Sequence, residues 1–305
     1  MNPDEQLSKI RERIDAIDSQ LLELISERAR CAQAVAQVKL DASQSDEAPP
    51  VFYRPEREAQ VLRAIQERNP GPLASEHIAS VFRELMSSCL ALEQPLSVAF
   101  LGPEGTYSQA AALKHFGQSA LPQGQASIHK VFRQVEERLC DYGVVPVENS
   151  TEGMVGQTLD CFLESPLQIT GEIELPVVHH LLAGQGTEQS AIQLILGHEQ
   201  ALGQCRQWLD SHLPNVPREA VASNGEAARR AGVEAGVAAI AGELAAGLHQ
   251  LDTLASAIQD SSTNSTRFLV LGKESVPPSG HDKTSLLVSA RNRPGALLGL
   301  LRPFE

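Results

Sequence analysis

Residues 4–40 contain neither glycine nor proline, and Ile10, Ile14, Ile17, Leu21, Leu24, Ile25 and Val35 recur through them at spacings of three and four. That pattern is the apolar face of one long helix. At the α-helical rise it would be roughly 50 Å long. So long a stripe cannot be buried within a helical region that ends near residue 94, so the sequence predicts a partner chain. A polar segment follows across 41–50. Pro55 suits the first turn of a second helix at 55–68. Asn69-Pro70-Gly71-Pro72 breaks it, and a third helix starts at Ser75 and ends before Gln94-Pro95.

Four cations mark these helices: Arg11, Arg28, Lys39 and Arg57. Residues eleven apart return to nearly the same helix face, which places Arg28 and Lys39 together, roughly 16 Å apart along the axis. Arg11 lies about 26 Å from Arg28. One small ligand cannot touch all three on a single helix, so a shared site requires Arg11 from a second chain. The plain alternative is a set of solvated helix charges balanced by Glu12, Glu23 and Glu27.

After Pro95 the pattern alternates. Strands are predicted at 97–101, 142–147, 192–197, 238–240 and 266–271, with helices at 108–116 and 199–210 between them. Repeated strand–loop–helix units predict an α/β layer architecture with ligand at the carboxyl ends of the strands. Pro277-Pro278-Ser279-Gly280 reads as a linker, followed by a strand at 284–290 and the start of a helix at 295–301. The domains expected are 1–94, 95–275 and 276–305.

The net charge of −13 argues against nucleic acid or an anionic membrane as partner. Five scattered cysteines without a CxxC pair read as reduced thiols of a cytoplasmic protein. The polar N-terminus is no signal peptide, and no apolar run reaches the length of a membrane span. His179-His180 and His198 lack a Cys or carboxylate at ligand spacing, so no metal and no cofactor is expected; core or capping roles fit them better.

Three polar loops follow strands. Gly102-Pro103-Glu104-Gly105-Thr106-Tyr107-Ser108 lacks the lysine of a phosphate loop. Glu148-Asn149-Ser150-Thr151-Glu152-Gly153 offers amide and hydroxyl donors at the head of an expected helix. Asn264-Ser265-Thr266-Arg267-Phe268 enters the last strand. Each alone is ordinary turn and capping chemistry; together they outline an anion-binding cleft.

Residues 5–94 resemble the all-helical chorismate mutases, in the form fused at the N-terminus of bifunctional P-proteins. The matching stretches are Ile10-Arg11-Glu12-Arg13-Ile14-Asp15, Glu27-Arg28, Val38-Lys39 and Pro55-Glu56-Arg57-Glu58. The resemblance implies an intertwined homodimer of three-helix domains. It implies that Arg28, Arg57 and a partner's Arg11 bind the two carboxylates of chorismate, Lys39 donates to the ether oxygen, and Glu58 accepts from the ring hydroxyl. Two positions depart from the family pattern. Arg54 stands where an acidic residue often helps hold the hydroxyl, and Glu93 replaces a glutamine that donates to the ether oxygen. A carboxylate donates only when protonated, so Glu93 is expected to have a raised pKa, or the mutase to gain activity toward acidic pH.

Residues 96–272 resemble prephenate dehydratase through Leu101–Ser108, Gly143-Val144-Val145-Pro146-Val147-Glu148-Asn149-Ser150 and Thr266-Arg267-Phe268, and more loosely through Gly197-His198-Glu199-Gln200 with Gln204-Cys205. The resemblance implies two α/β subdomains like those of a periplasmic binding protein, with prephenate between them. Thr266 would be the catalytic hydroxyl; Asn149, Gln204, Arg267 and Phe268 would position substrate, with Ser223 a further candidate. Gly197 stands where a serine is often found, which would remove one ligand contact. Asp282-Lys283-Thr284-Ser285 and Arg291 to Leu298 resemble the beginning of an α+β ACT regulatory domain, implying an incomplete phenylalanine effector site and a truncated chain or fragment. Two other functions share these residues: a dehydratase whose helices only dimerise, and a noncatalytic binding protein with the same cleft.

Overall fold

The computed structural model describes residues 2–43, 51–291 and 293–304. Most of the polar segment expected at 41–50, and Asn292 of the expected regulatory motif, lie outside them.

Helix α1 spans Pro3–Ser43, α2 Pro55–Arg68 and α3 Ser75–Ala91, with Pro55 in the first turn of α2. α2 packs on α3, and α1 meets α3. The apolar face of α1 is uncovered: Leu7, Ile10, Ile14, Ile17, Leu21, Leu24 and Ile25 are all exposed.

The α/β region has two lobes. The first comprises β1 (Ser97–Leu101), α4 (Tyr107–Phe116), β2 (Leu121–Gln125), α5 (Ile128–Glu136), β3 (Tyr142–Asn149), β4 (Gly153–Met154), α6 (Gly156–Glu164) and β5 (Gln168–Pro176). The second holds β6 (His180–Gly184), β7 (Leu194–Gly197), α7 (Glu199–Gln204), α8 (Arg206–His212), β8 (Arg218–Ala220), α9 (Asn224–Ala231), β9 (Val237–Ala241), α10 (Glu243–Leu248) and β10 (Leu251–Ala255). Strand β11 (Ser265–Gly272) returns to the first lobe, giving sheet orders β2-β1-β3-β11-β5 and β10-β6-β9-β7-β8.

Side-chain alternation builds the cores. On β11, Phe268 and Val270 enter one face of the first sheet, and Leu269 and Leu271 the other. The chain crosses between lobes twice, and the crossings are bonded side by side. Val177 N–H donates to Asn264 O at 2.8 Å, and Ile258 N–H to His179 O at 2.8 Å. Polar loops of the first lobe also press directly on the second. A Cβ on Gly225 would overlap the Glu104 carbonyl oxygen, and one on Gly105 would lie 3.2 Å from Ala245 Cβ.

The helical region is seated on the first lobe through Tyr53, whose buried ring contacts Phe116 and Tyr142 at 5.5 and 5.3 Å between centroids. A tight approach supports this seam: Gly117, at φ +79°, has no room for a Cβ against Ser87.

Three expectations are corrected. The anticipated helix head at 148–153 is the end of β3, a turn and the short β4, so α6 starts only at Gly156. The helix expected at 199–210 divides into α7 and α8 at Cys205. Residues 284–290 form no strand, and Leu286, Leu287 and Val288 are exposed. A strand needs a neighbour for its N–H and C=O groups, and among the described residues this segment has none. A short final helix, α11, spans Ala296–Leu301.

Candidate active sites

Between the lobes lies a cleft of about 100 Å³ whose wall includes Tyr107, Asn149, His179, His198, Gln204, Asn224, Asn264 and Thr266. Thr266 and Asn149 are paired residues on β11 and β3. The Asn149 carboxamide oxygen accepts from the backbone N–H groups of Thr151 at 2.9 Å and Glu152 at 3.1 Å. Those two donors fix which end of the side chain is oxygen. Its NH2 group therefore donates to Thr266 Oγ1, at 2.8 Å. The Thr266 oxygen is occupied as an acceptor, and its proton is available to a ligand.

Gln204, the last residue of α7, reaches the same cleft, with its side chain 2.9 Å from His179 Nε2. His198 lines the cleft and caps α7, its ring Nδ1 accepting from Gln200 N–H, and its backbone N–H donates to Asn224 Oδ1 at 2.9 Å. Its capping role matches the expectation for these histidines. His179 is buried as expected, at 2% exposed, and it also forms part of the cleft wall. Burial holds its imidazole below the usual range, so it is neutral at pH 7. Tyr107 comes from one of the three loops expected to outline the cleft; sequence reasoning missed Asn224, which is brought there only by tertiary packing.

Several expected site residues lie elsewhere. Successive strand residues face opposite ways, so Arg267 points away from Thr266 and pairs with Glu148 at 2.6 Å and Glu172 at 3.6 Å. Phe268 shares the Thr266 face one step deeper, where it is core at 2% exposure. Ser223 caps α9 by accepting from Glu226 N–H at 3.1 Å. A Cβ on Gly197 would meet Leu202 and Ile240 at 3.3 and 3.4 Å. That direction is the core, so the missing side chain costs the cleft no contact. The Gly102–Ser108 loop is largely self-satisfied, with Gly105 N–H bound to Gln109 Oε1 at 2.7 Å, and contributes Tyr107 to the cleft.

In the helical region, Lys39 Nζ lies 3.3 Å from Phe52 O and 5.4 Å from the centre of the Phe52 ring. Glu93 stands within the field of Lys39 and Arg28. Its Oε2 is buried with no hydrogen-bond partner among the described residues. Burial raises its carboxyl pKa, against the opposing pull of those cations. Arg11 and Arg57 are exposed. Glu58 departs from its expected role. It faces the seam with the first lobe, hydrogen-bonded to Tyr53 and 3.8 Å from Arg83, and desolvation raises its pKa to about 7. Arg54 is engaged by Glu56, with its Nε donating at 2.7 Å.

Among the described residues no cluster of His, Cys, Asp and Glu could hold a metal ion, and no helix is long and apolar enough to cross a membrane.

Residues 98–276 match the prephenate dehydratase family and residues 10–94 chorismate mutase type II. The bifunctional chorismate mutase/prephenate dehydratase of Stutzerimonas stutzeri is 58% identical over 305 residues, all of this chain and 83% of that protein. The bifunctional enzyme of Aquifex aeolicus is 40% identical over 98% of this chain and 82% of its own length. The crystal structure of prephenate dehydratase from Arthrobacter aurescens in complex with L-Phe superposes with a TM-score of 0.62 at 31% identity, over 68% of this chain and 72% of that one. Fold and matched segments define an enzyme that joins an isomerase domain to a lyase domain. The chain belongs to the bifunctional chorismate mutase/prephenate dehydratases.

Proposed function

We propose the following division of labour for the two reactions that this enzyme of L-phenylalanine biosynthesis joins, chorismate to prephenate and prephenate to phenylpyruvate. In the dehydratase cleft, the electron pair of the breaking bond to the carboxylate passes through the ring as carbon dioxide leaves, and hydroxide is expelled from the opposite ring carbon. Aromatisation drives the step. Thr266 donates its hydrogen bond to the departing oxygen, which leaves as water once a proton is added. Asn149 holds Thr266 as a donor, and Gln204 contacts the substrate from the facing lobe. The observation that carries this reading is the Asn149 amide bonded to Thr266 Oγ1, with its own oxygen anchored by backbone N–H, which leaves the Thr266 proton for the ligand. Arg267 and Phe268 support the strand rather than touch substrate.

The mutase reaction is unimolecular, so its site has only to hold the compact reactive conformer and stabilise charge on the ether oxygen. Lys39 donates to that oxygen, joined by Glu93 in its protonated form. Arg28 and Arg57 of one chain and Arg11 of a second copy bind the carboxylates, a task suited to planar guanidinium forks. The uncovered face of α1 supports the homodimer this requires. All five cysteines are free, four of them buried, which suits a cytoplasmic setting. A coupled assay starting from chorismate tests both assignments. Thr266→Ala should accumulate prephenate without phenylpyruvate, and undiminished phenylpyruvate formation would remove Thr266 from its role.

A further inference from the structure

The half-buried Tyr107 and the buried His179 are titratable groups in the cleft wall that the chemistry above leaves unused. Tyr107 comes from the start of α4 in the first lobe, and His179 stands on the first crossing between lobes. Gln204 ends α7 in the second lobe. The three form a chain: Tyr107 O–H lies 2.6 Å from Val178 O and 3.2 Å from His179 Nδ1, and His179 Nε2 lies 2.9 Å from the Gln204 carboxamide. The His179 backbone is held at both ends, its N–H donating to Gln259 Oε1 at 3.0 Å and its carbonyl accepting from Ile258.

Counting protons orients every member. The Val178 carbonyl can only accept, so the Tyr107 hydroxyl gives it its one proton at the shorter distance. The Tyr107 oxygen then faces Nδ1 as an acceptor, and Nδ1 must carry hydrogen. A neutral ring has one N–H, so Nε2 is a bare acceptor. The atom facing it is Gln204 Oε1, which would set two lone pairs against each other; a half-turn of the carboxamide removes the conflict. The NH2 group then donates to Nε2, and the carbonyl oxygen turns to the cleft.

We propose that His179 is a positioning residue, held as its Nδ1–H tautomer by Tyr107, that turns the Gln204 carbonyl toward the cleft to accept from the hydroxyl of the substrate. This rests on the dehydratase reading above. It makes the leaving hydroxyl a two-sided ligand: its oxygen accepts from Thr266, and its hydrogen is received by Gln204. The site thereby selects a ring that bears a free alcohol.

The test uses the full chain. Side-chain ¹⁵N shifts at pH 7, with His179 identified by the signal lost in His179→Asn, should show a protonated Nδ1 and an unprotonated Nε2; the opposite tautomer, or an imidazolium, would overturn the proposal. Tyr107→Phe removes the acceptor of the Nδ1 proton. It should release the tautomer and lower kcat on prephenate roughly ten-fold, the scale of one misplaced hydrogen bond, more than it alters KM. The mutase rate of the same polypeptide should be unchanged, which serves as the folding control. Unaltered kcat in that variant counts against the proposal. Wild-type inactivity on prephenate would instead overturn the dehydratase reading, and the tautomer would still be decided by its shifts.

Discussion

Asn149 donates to the hydroxyl oxygen of Thr266 across paired strands at 2.8 Å, and it does so with its own oxygen anchored by two backbone N–H groups. The proton of Thr266 is thereby directed at the ligand rather than at the protein. Asn149→Asp preserves the shape but replaces the donor with a carboxylate oxygen, which captures that proton. We expect kcat for prephenate to fall roughly 100-fold or more, the range for loss of a positioned proton donor. Phenylpyruvate absorbance against an unchanged mutase rate is the measurement. A loss below a few-fold would show that Thr266 does not act through its proton.

Glu58 carries a pH signature at the seam between the helices and the first lobe. Its folded pKa of about 7 lies above the ordinary 4.5, so the stabilisation from its protonated form is full below about 4.5 and is lost as pH rises through 7. Two and a half pH units set an upper bound of roughly 3–4 kcal/mol. His115, which also faces Tyr53, is held at about 4 by burial; it acts in the opposite sense, stabilising fully above its unfolded value and losing this as pH falls through 4. Subtracting Glu58→Gln from wild type isolates the carboxyl. The variant should be relatively more stable at pH 8 than at pH 5.5 in urea unfolding, and a pH-independent difference would contradict the burial of Glu58.

The lobes meet where Gly225 leaves no space for a side chain beside the Glu104 carbonyl. Gly225→Ala must push that loop away or open the cleft, at a cost of about 1–3 kcal/mol in stability. We expect a lower melting temperature and a raised KM for prephenate, with chorismate turnover retained. Identical dehydratase kinetics would show that the lobes need not approach this closely.

How legible each part was follows from where its information resides. Helices α1, α2 and α3 announce themselves through apolar spacing and the Pro55 and Asn69-Pro70-Gly71-Pro72 boundaries, which are local signals. Strand β2, Leu-Pro-Gln-Gly-Gln, has no apolar pattern because it is a mostly exposed edge whose pairing with β1 supplies its structure. Thr266, Asn149 and Gln204 converge as their motifs suggest. Arg267 and Phe268 do not, since strand alternation and depth separate residues that adjoin in sequence. His179 carried no local signal at all: its place in the cleft depends on a crossing between lobes and on a tyrosine seventy-two residues away.

The exposed stripe on α1 and the distance from Arg11 to Arg28 lead to a test by mixing. If each mutase site takes Arg28 from one chain and Arg11 from its partner, Arg11→Ala and Arg28→Ala are each inactive as homodimers. Unfolded together and refolded, they form mixed dimers in which one site has lost both arginines and the other has both intact. Random pairing then restores about a quarter of wild-type mutase sites, since half the dimers are mixed and each has one good site. The dehydratase activity of both variants should be untouched throughout. Recovery fails if Arg11 serves the site of its own chain, because every site would then still lack one arginine. Ile14→Glu, placed on the same exposed stripe, should abolish the recovery by breaking the dimer, and sedimentation should show a monomer that still converts prephenate.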